Sequence, residues 1–241
     1  MPTWSSKSRT KQNNGWSSCW SALFSLKGRL SHFATHLNLK RWNFCIDAKC
    51  DLCGDLSPTV LHILNGCPVA LNQLRYTWKH DSVLKIIDAF VRPQLSTEEM
   101  LYTDLPGLKA QENPDCTIPF KLLVTTERPD MVYVCNNRVV LIELTIPLNS
   151  PESLNRVQST KQTKQLYQQL LNDLDSMGKQ ATLVTIENGS LGHYLPSCSK
   201  VPYESITRIF EKSKTRDLFD SATRTAISAS YTIFLARKNS H

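Results

Sequence analysis

The sequence predicts an α/β protein in which a mixed sheet flanked by helices follows a small cysteine–histidine unit with helices of its own. Three observations carry this. Apolar residues make up 41% of the 241-residue chain, enough for a buried core. β-rich runs at 130–135, 138–146 and 180–186 surround a helical pattern over about 152–177, an order that places helices over a mixed sheet. Three cysteines and a histidine crowd between residues 50 and 67.

In chain order, residues 1–18 are rich in Ser, Lys, Asn and Thr and predict no fixed structure. From Trp20 to Leu39, Leu23, Leu26, Leu30, Phe33 and Leu37 recur at three and four, as on an amphipathic helix. After the Cys/His cluster, Val69 to Phe90 reads as one helix burying Leu71, Leu74, Trp78, Val83, Leu84 and Ile87. Pro93, Pro106, Pro114 and Pro119 make 91–119 a connector with one helix near Thr97–Tyr102. A strand at 120–126 precedes those at 130–135 and 138–146. The helix over 152–177 stops at Gly178, with Leu170, Leu171, Leu174 and Met177 as its anchor. After the strand at 180–186, closed by Glu187 as a strand-end surface residue or a peripheral acid, helices cover about 203–212 and 216–237. Four units follow: a basic arm and helix at 1–40, the Cys/His cluster with its helix at 41–95, the α/β core at 96–200, and C-terminal helices at 201–241 that pack on the core.

The charge is uneven. Lys and Arg number 28 against 21 acids, a net +7. Residues 1–41 hold Lys7, Arg9, Lys11, Lys27, Arg29, Lys40 and Arg41 and no acid. A basic lead segment before a mixed-charge body suits a polyanion such as nucleic acid. No run approaches the roughly 18 apolar residues of a membrane-spanning helix. The polar, basic start MPTWSSKSRTKQNNGWSS lacks the apolar stretch of a secretory signal, so neither a membrane nor a secreted setting is expected.

Cys50, Cys53, His62 and Cys67 form the pattern C-x2-C-x8-H-x4-C. Two cysteines two residues apart close a tight knuckle, and Gly54 frees the chain to turn back behind them. His62 and Cys67, on about one and a half helical turns, are expected to face the same ion. Three thiolates and an imidazole make a tetrahedral set that selects Zn²⁺, closed and therefore structural. Cys45 is a spare thiol, either buried or able to displace a ligand.

A hairpin carries the second constellation. The runs Asp130–Cys135 and Arg138–Ile146 flank Asn136-Asn137, a two-residue type I′ turn by composition. In that register Cys135 faces Arg138, Tyr133 faces Val140 and Asp130 faces Glu143, with the two acids about 5 Å apart on one face. A buried pair of carboxylates costs several kcal/mol unless paired or metal-bound, and a hard divalent cation removes the penalty. A salt bridge through Arg128, or a bulge separating the acids, are the alternatives.

The knuckle spacing, its flanks Thr59-Val-Leu-His62-Ile-Leu-Asn-Gly-Cys67 and Val69-Ala-Leu, and the segment Arg75-Tyr-Thr-Trp-Lys-His-Asp-Ser-Val-Leu together resemble the C-terminal region of non-LTR retrotransposon polyproteins. In the branch with a restriction-like endonuclease, such a knuckle stands between reverse transcriptase and nuclease. Pro129-Asp130, twelve residues and Glu143 are similar to the PD-(D/E)xK signature of the restriction-endonuclease-like fold, with Thr145 where its Lys stands. In that retrotransposon branch the basic residue moves to the next helix in a Lys-x-x-Lys-Tyr run, here matched by Lys161-Gln-Thr-Lys164-Gln-Leu-Tyr167. Ser221–Arg237 resembles the small-residue helix that ends such proteins. The resemblance spans about 40–237 and implies a Mg²⁺-dependent, nuclear DNA endonuclease. Asp130 and Glu143 are then the Mg²⁺ ligands, and Lys164 or Lys161 orients the attacking water beside Tyr167. DNA is the expected substrate, with RNA and a separately supplied reverse transcriptase as further partners; no polymerase Tyr-x-Asp-Asp occurs. The alternative is a catalytically silent nucleic-acid-binding module or relic that keeps the nuclease fold.

Overall fold

The computed structural model describes residues 33–56, 58–106, 118–119, 128–148, 165–192 and 212–237. It is α/β, with a four-stranded mixed sheet flanked by helices. The strands are β1 (Glu99–Thr103), β2 (Met131–Cys135), β3 (Arg138–Thr145) and β4 (Gln180–Glu187), hydrogen-bonded in that order. β1–β2 and β2–β3 are antiparallel, and β3–β4 is parallel. The parallel step needs a crossover, and the chain between β3 and β4 contains helix α4 (Gln165–Ser176).

The hairpin register is the one the sequence predicts: Cys135 pairs with Arg138, Tyr133 with Val140 and Met131 with Ile142. Its turn is not type I′. Of the two asparagines only Asn136 takes a positive φ, 52°, whereas type I′ needs both.

Two apolar layers sandwich the sheet. On one face Val132, Val139 and Leu141 meet Tyr167, Leu170 and Leu174 of α4. On the other, Met131, Tyr133, Val140, Ile142, Leu144 and Val184 meet helix α3 (Arg75–Val91) and helix α5 (Lys212–Ala236). Ala222, Ala226 and Ala229 of α5 are buried, and the first two join that core beside Val83 and Leu84 of α3, as the small-residue pattern predicts.

Several expectations are corrected. The segment expected to be helical near 97–102 is β1, because Leu101 and Thr103 turn inward at a spacing of two while the backbone pairs with β2. The single helix over 69–90 is two, α2 (Pro68–Asn72) and α3, since Leu74 sits in the left-handed region at φ 58°. That break leaves Leu71 and Leu74 exposed, while Val83, Leu84 and Ile87 are buried as expected. Met177 is exposed, because α4 ends at Ser176 and the chain turns at Gly178, φ 75°. Glu187 is 2% exposed, not a surface residue, although it forms the last pair of the parallel ladder, with Thr145. Of the first predicted helix the described part begins at residue 33. There helix α1 (His36–Arg41) starts only after Thr35, whose hydroxyl accepts from Asn38 N–H at 3.2 Å. The strand at 120–126, the helix at 203–212 and the helical start at 152 lie outside the described residues.

Candidate metal centre and acidic cleft

The cysteine–histidine cluster is assembled by two turns of different kind. Gly54, at φ 76°, lets the chain reverse behind Cys53; Gly54 N–H donates to Cys50 O at 2.9 Å, and Cys50 N–H to Asp55 O at 2.8 Å. The second turn is a π-helical one, His62–Gly66. An α-helix separates positions i and i+5 by well over a quarter turn around the axis, and the wider π turn reduces that offset before the chain leaves it in extended backbone at Cys67. The wide turn, in place of the expected α-helix, and the extended backbone at Cys67 together set His62 and Cys67 on one ion site.

The four ligand atoms, one each from Cys50, Cys53, His62 and Cys67, all lie within 4.8 Å of one another. Cys53 Sγ is 3.2 Å from His62 Nε2. Asp55 Oδ2 lies 3.5 Å from His62 Nδ1, which leaves Nε2 as the inward atom and orients the ring. Cys50 and Cys67 are buried, at 6% and 0% exposure. This group can hold a metal ion, and its donor set is compatible with zinc. Cys45 is held apart, its thiol donating to Asp47 O at 3.1 Å and His36 O at 3.5 Å.

Helix α3 braces the π turn. The Tyr76 hydroxyl accepts from Cys67 N–H at 2.9 Å, with Ile63 O and His62 O at 3.0 and 3.1 Å to share its proton. Lys79, 2% exposed, donates to Leu64 O at 3.0 Å and Ser190 Oγ at 3.1 Å, with Asn65 Oδ1 at 3.4 Å. Burial lowers its pKa to about 7. Asn65 in turn donates to Ile146 O, just past β3, at 3.0 Å.

At the far side of α3 an open cleft of about 420 Å³ is lined by Thr77, His80, Asp81, Asp104, Pro106, Arg128 and Asp130. Asp130 precedes β2 by one residue, and its Oδ2 accepts from Leu144 N–H at 2.6 Å, next to Glu143. The same oxygen lies 3.3 Å from His80 Nε2, while His80 Nδ1 lies 3.2 Å from Asp81 Oδ1. Burial pulls the His80 pKa down, but the hydrogen bonds and charges of Asp130 and Asp81 outweigh it and raise it to about 10. His80 is thus a cation between two carboxylates at neutral pH, and Asp130 Oδ1 takes part in neither contact.

Glu143 lies one residue beyond the last β2–β3 pair, Met131–Ile142, and so does Asp130. The Tyr167 hydroxyl donates to Glu143 Oε2 at 2.6 Å, tying α4 to β3. Thr145, in the same alternation as Glu143, pairs with Glu187 of β4, and Thr145 Oγ1 is buried with no hydrogen-bond partner among the described residues. Lys161 and Lys164 lie outside the described residues, so the structure relates Tyr167 alone of that run to the acids.

Sequence reasoning missed chemistry in the segment Arg75–Asp81. Arg75, Lys79, Val83, Ile87 and Val91 are buried on α3 at a constant spacing of four, so the inward course of Lys79 was legible in the apolar stripe it interrupts. His80 carried no such signal, because its partner Asp130 is distant in sequence. No family model matches the chain, and no curated protein matches it.

Proposed function

We propose that this chain is the C-terminal, restriction-like endonuclease part of a non-LTR retrotransposon polyprotein, with a structural zinc knuckle and a divalent-metal-dependent DNA-nicking site. The observation that supports this most is the end of the β2–β3 ladder: Asp130 stands one residue outside the Met131–Ile142 pair, and its carboxylate engages the N–H of Leu144, the neighbour of Glu143. Two acids on adjacent strands at one end of a hairpin support the PD-(D/E)xK reading, although the carboxylate of Asp130 turns to His80 of α3 and that of Glu143 to Tyr167 of α4.

The residues fit a hard cation by the chemistry of their donors: both are carboxylates, and among the described residues the side-chain contacts of Asp130 fall on Oδ2. A bound Mg²⁺ would neutralise phosphate charge and acidify a water there. His80 Nε2 contacts Asp130 Oδ2, and Tyr167 bonds Glu143 from α4. Arg128, exposed at the mouth of the cleft, supplies a cation for a phosphate of the strand. Lys164, or Lys161, is assigned the orientation of water through the family resemblance alone.

One observation favours the second reading, a silent nucleic-acid-binding module: Thr145 occupies the position of the usual lysine and offers no charge. Nicking of supercoiled plasmid by the purified chain separates the two. The endonuclease reading expects Mg²⁺- or Mn²⁺-dependent relaxation that Asp130→Ala and Glu143→Ala each abolish while DNA binding persists. Binding without metal-dependent nicking, or nicking that survives both substitutions, overturns it.

A further inference from the structure

Beyond the acidic cleft, we infer that the turn at residues 40–49 is a stacking platform for unpaired nucleic acid. Helix α1 ends there in a Schellman motif: Asn43, at φ 60°, donates its N–H to Lys40 O at 3.0 Å, and Phe44 N–H donates to Leu39 O at 2.8 Å. In that motif the residue in the place of Phe44 ordinarily packs back on the helix. Here Phe44 is 78% exposed, Trp42 41% and Ile46 96%. Solvent-facing rings on a backbone fixed by hydrogen bonds are costly to display and are pre-organised for a partner.

The charges around them select the partner. Lys40, Arg41 and Lys49 are exposed on the same turn, and the one exposed acid, Asp47, lies 3.2 Å from Lys49. His36 Nδ1 lies 2.6 Å from Lys49 O, which ties that lysine's backbone to the start of α1. The cations at the end of α1 also suit its dipole, but that accounts for none of the exposed rings. Flat aromatic side chains between cations are what a flexible polyanion with exposed bases needs: the phosphates meet Lys and Arg, and each ring takes one base. A duplex hides its base faces and cannot use them. Three apolar side chains on a turn also fall short of the amphipathic helix or paired acyl chains that hold a protein on a lipid surface.

The test measures binding of the full chain to a fluorescein-labelled oligothymidylate of about twenty nucleotides, to the same strand in duplex form, and to phosphatidylserine vesicles, without added divalent ion. Phe44→Ala and Trp42→Ala should each weaken single-strand binding by about fivefold or more, with the salt dependence unchanged. Arg41→Ala should instead lower the slope of log affinity against log salt by about 0.7. Duplex binding should not change in the aromatic variants. Phe44 is 78% exposed, so a parental melting temperature is expected for Phe44→Ala and serves as the folding control. Unchanged single-strand affinity in Phe44→Ala and Trp42→Ala overturns the platform, as does a loss confined to vesicle binding or equal for single strand and duplex. Failure of the nicking site leaves this platform standing, because no residue is shared.

Discussion

Asn65 Nδ2 donates to the carbonyl of Ile146 at 3.0 Å, across 81 positions of sequence. Asn65 belongs to the π turn that holds His62, and Ile146 directly follows the strand that carries Glu143. Ser190 Oγ lies 3.3 Å from the same carbonyl, and Lys79 reaches both Asn65 and Ser190. The cysteine–histidine cluster and the sheet are therefore joined by a buried polar bridge.

Removing that bridge is costly. Asn65→Ala leaves the Ile146 carbonyl with one partner fewer and Lys79 with one acceptor fewer, so chemical denaturation should show a loss of about 1–3 kcal/mol. An unchanged denaturation midpoint would mean that the two parts are not energetically joined there.

The metal centre predicts one Zn²⁺ per chain by atomic absorption. Cys67→Ser should lose the metal and lower the melting temperature, because the buried Cys67 sits at the junction of the π turn and α2. Chelation should reproduce the effect in the parent protein and change nothing in the variant.

Lys79 and His80 are neighbours with opposite pH linkage. The native Lys79 pKa is about 7 against 10.5, so between these values the unfolded chain binds more protons and stability rises with pH. For His80, native about 10 against 6.5, the native state binds more protons; its contribution is full below 6.5 and is lost as pH rises through 10. Between pH 7 and 10 the two slopes oppose. Lys79→Met should leave stability falling with pH over that window, and His80→Asn should leave it rising, as urea midpoints at several pH values would read. Parallel profiles in the two variants would refute the assignment.

Tyr167→Phe removes the hydroxyl on Glu143 and keeps the ring that packs with Leu170 and Leu174. A hydrogen bond to a charged group is worth about 1.5–3 kcal/mol, so metal-dependent nicking should fall by about tenfold or more with DNA affinity unchanged. Equal nicking rates would make Tyr167 a packing residue.

The legible parts of this fold were those fixed by short-range pattern. β2, β3 and β4 follow from β-branched runs, their hairpin register from a two-residue turn, and the cluster from ligand spacing. The segment at 97–102 misled because Glu, Met and Leu are good helix formers, and only pairing with β2 makes the segment a strand. The break at Leu74 was hidden because no Gly or Pro marks it; the bond from Trp78 N–H to Leu74 O restarts the helix there. The His80–Asp130 contact joins residues far apart in sequence, and nothing local in either stretch announces the other.

Helix α3 has a consequence for modularity. Its residues Tyr76 and Lys79 brace the π turn, while Val83, Leu84, Ile87 and Val91 fill the core above the sheet. A chain begun at residue 96 would strip α3 from Met131, Val140 and Leu144 and leave only α5 in that core, and light scattering should show it aggregating where the longer chain remains dispersed. A cut between the cluster and the sheet therefore divides packing that α3 makes with both. The cluster and the sheet share this single helix as their spine.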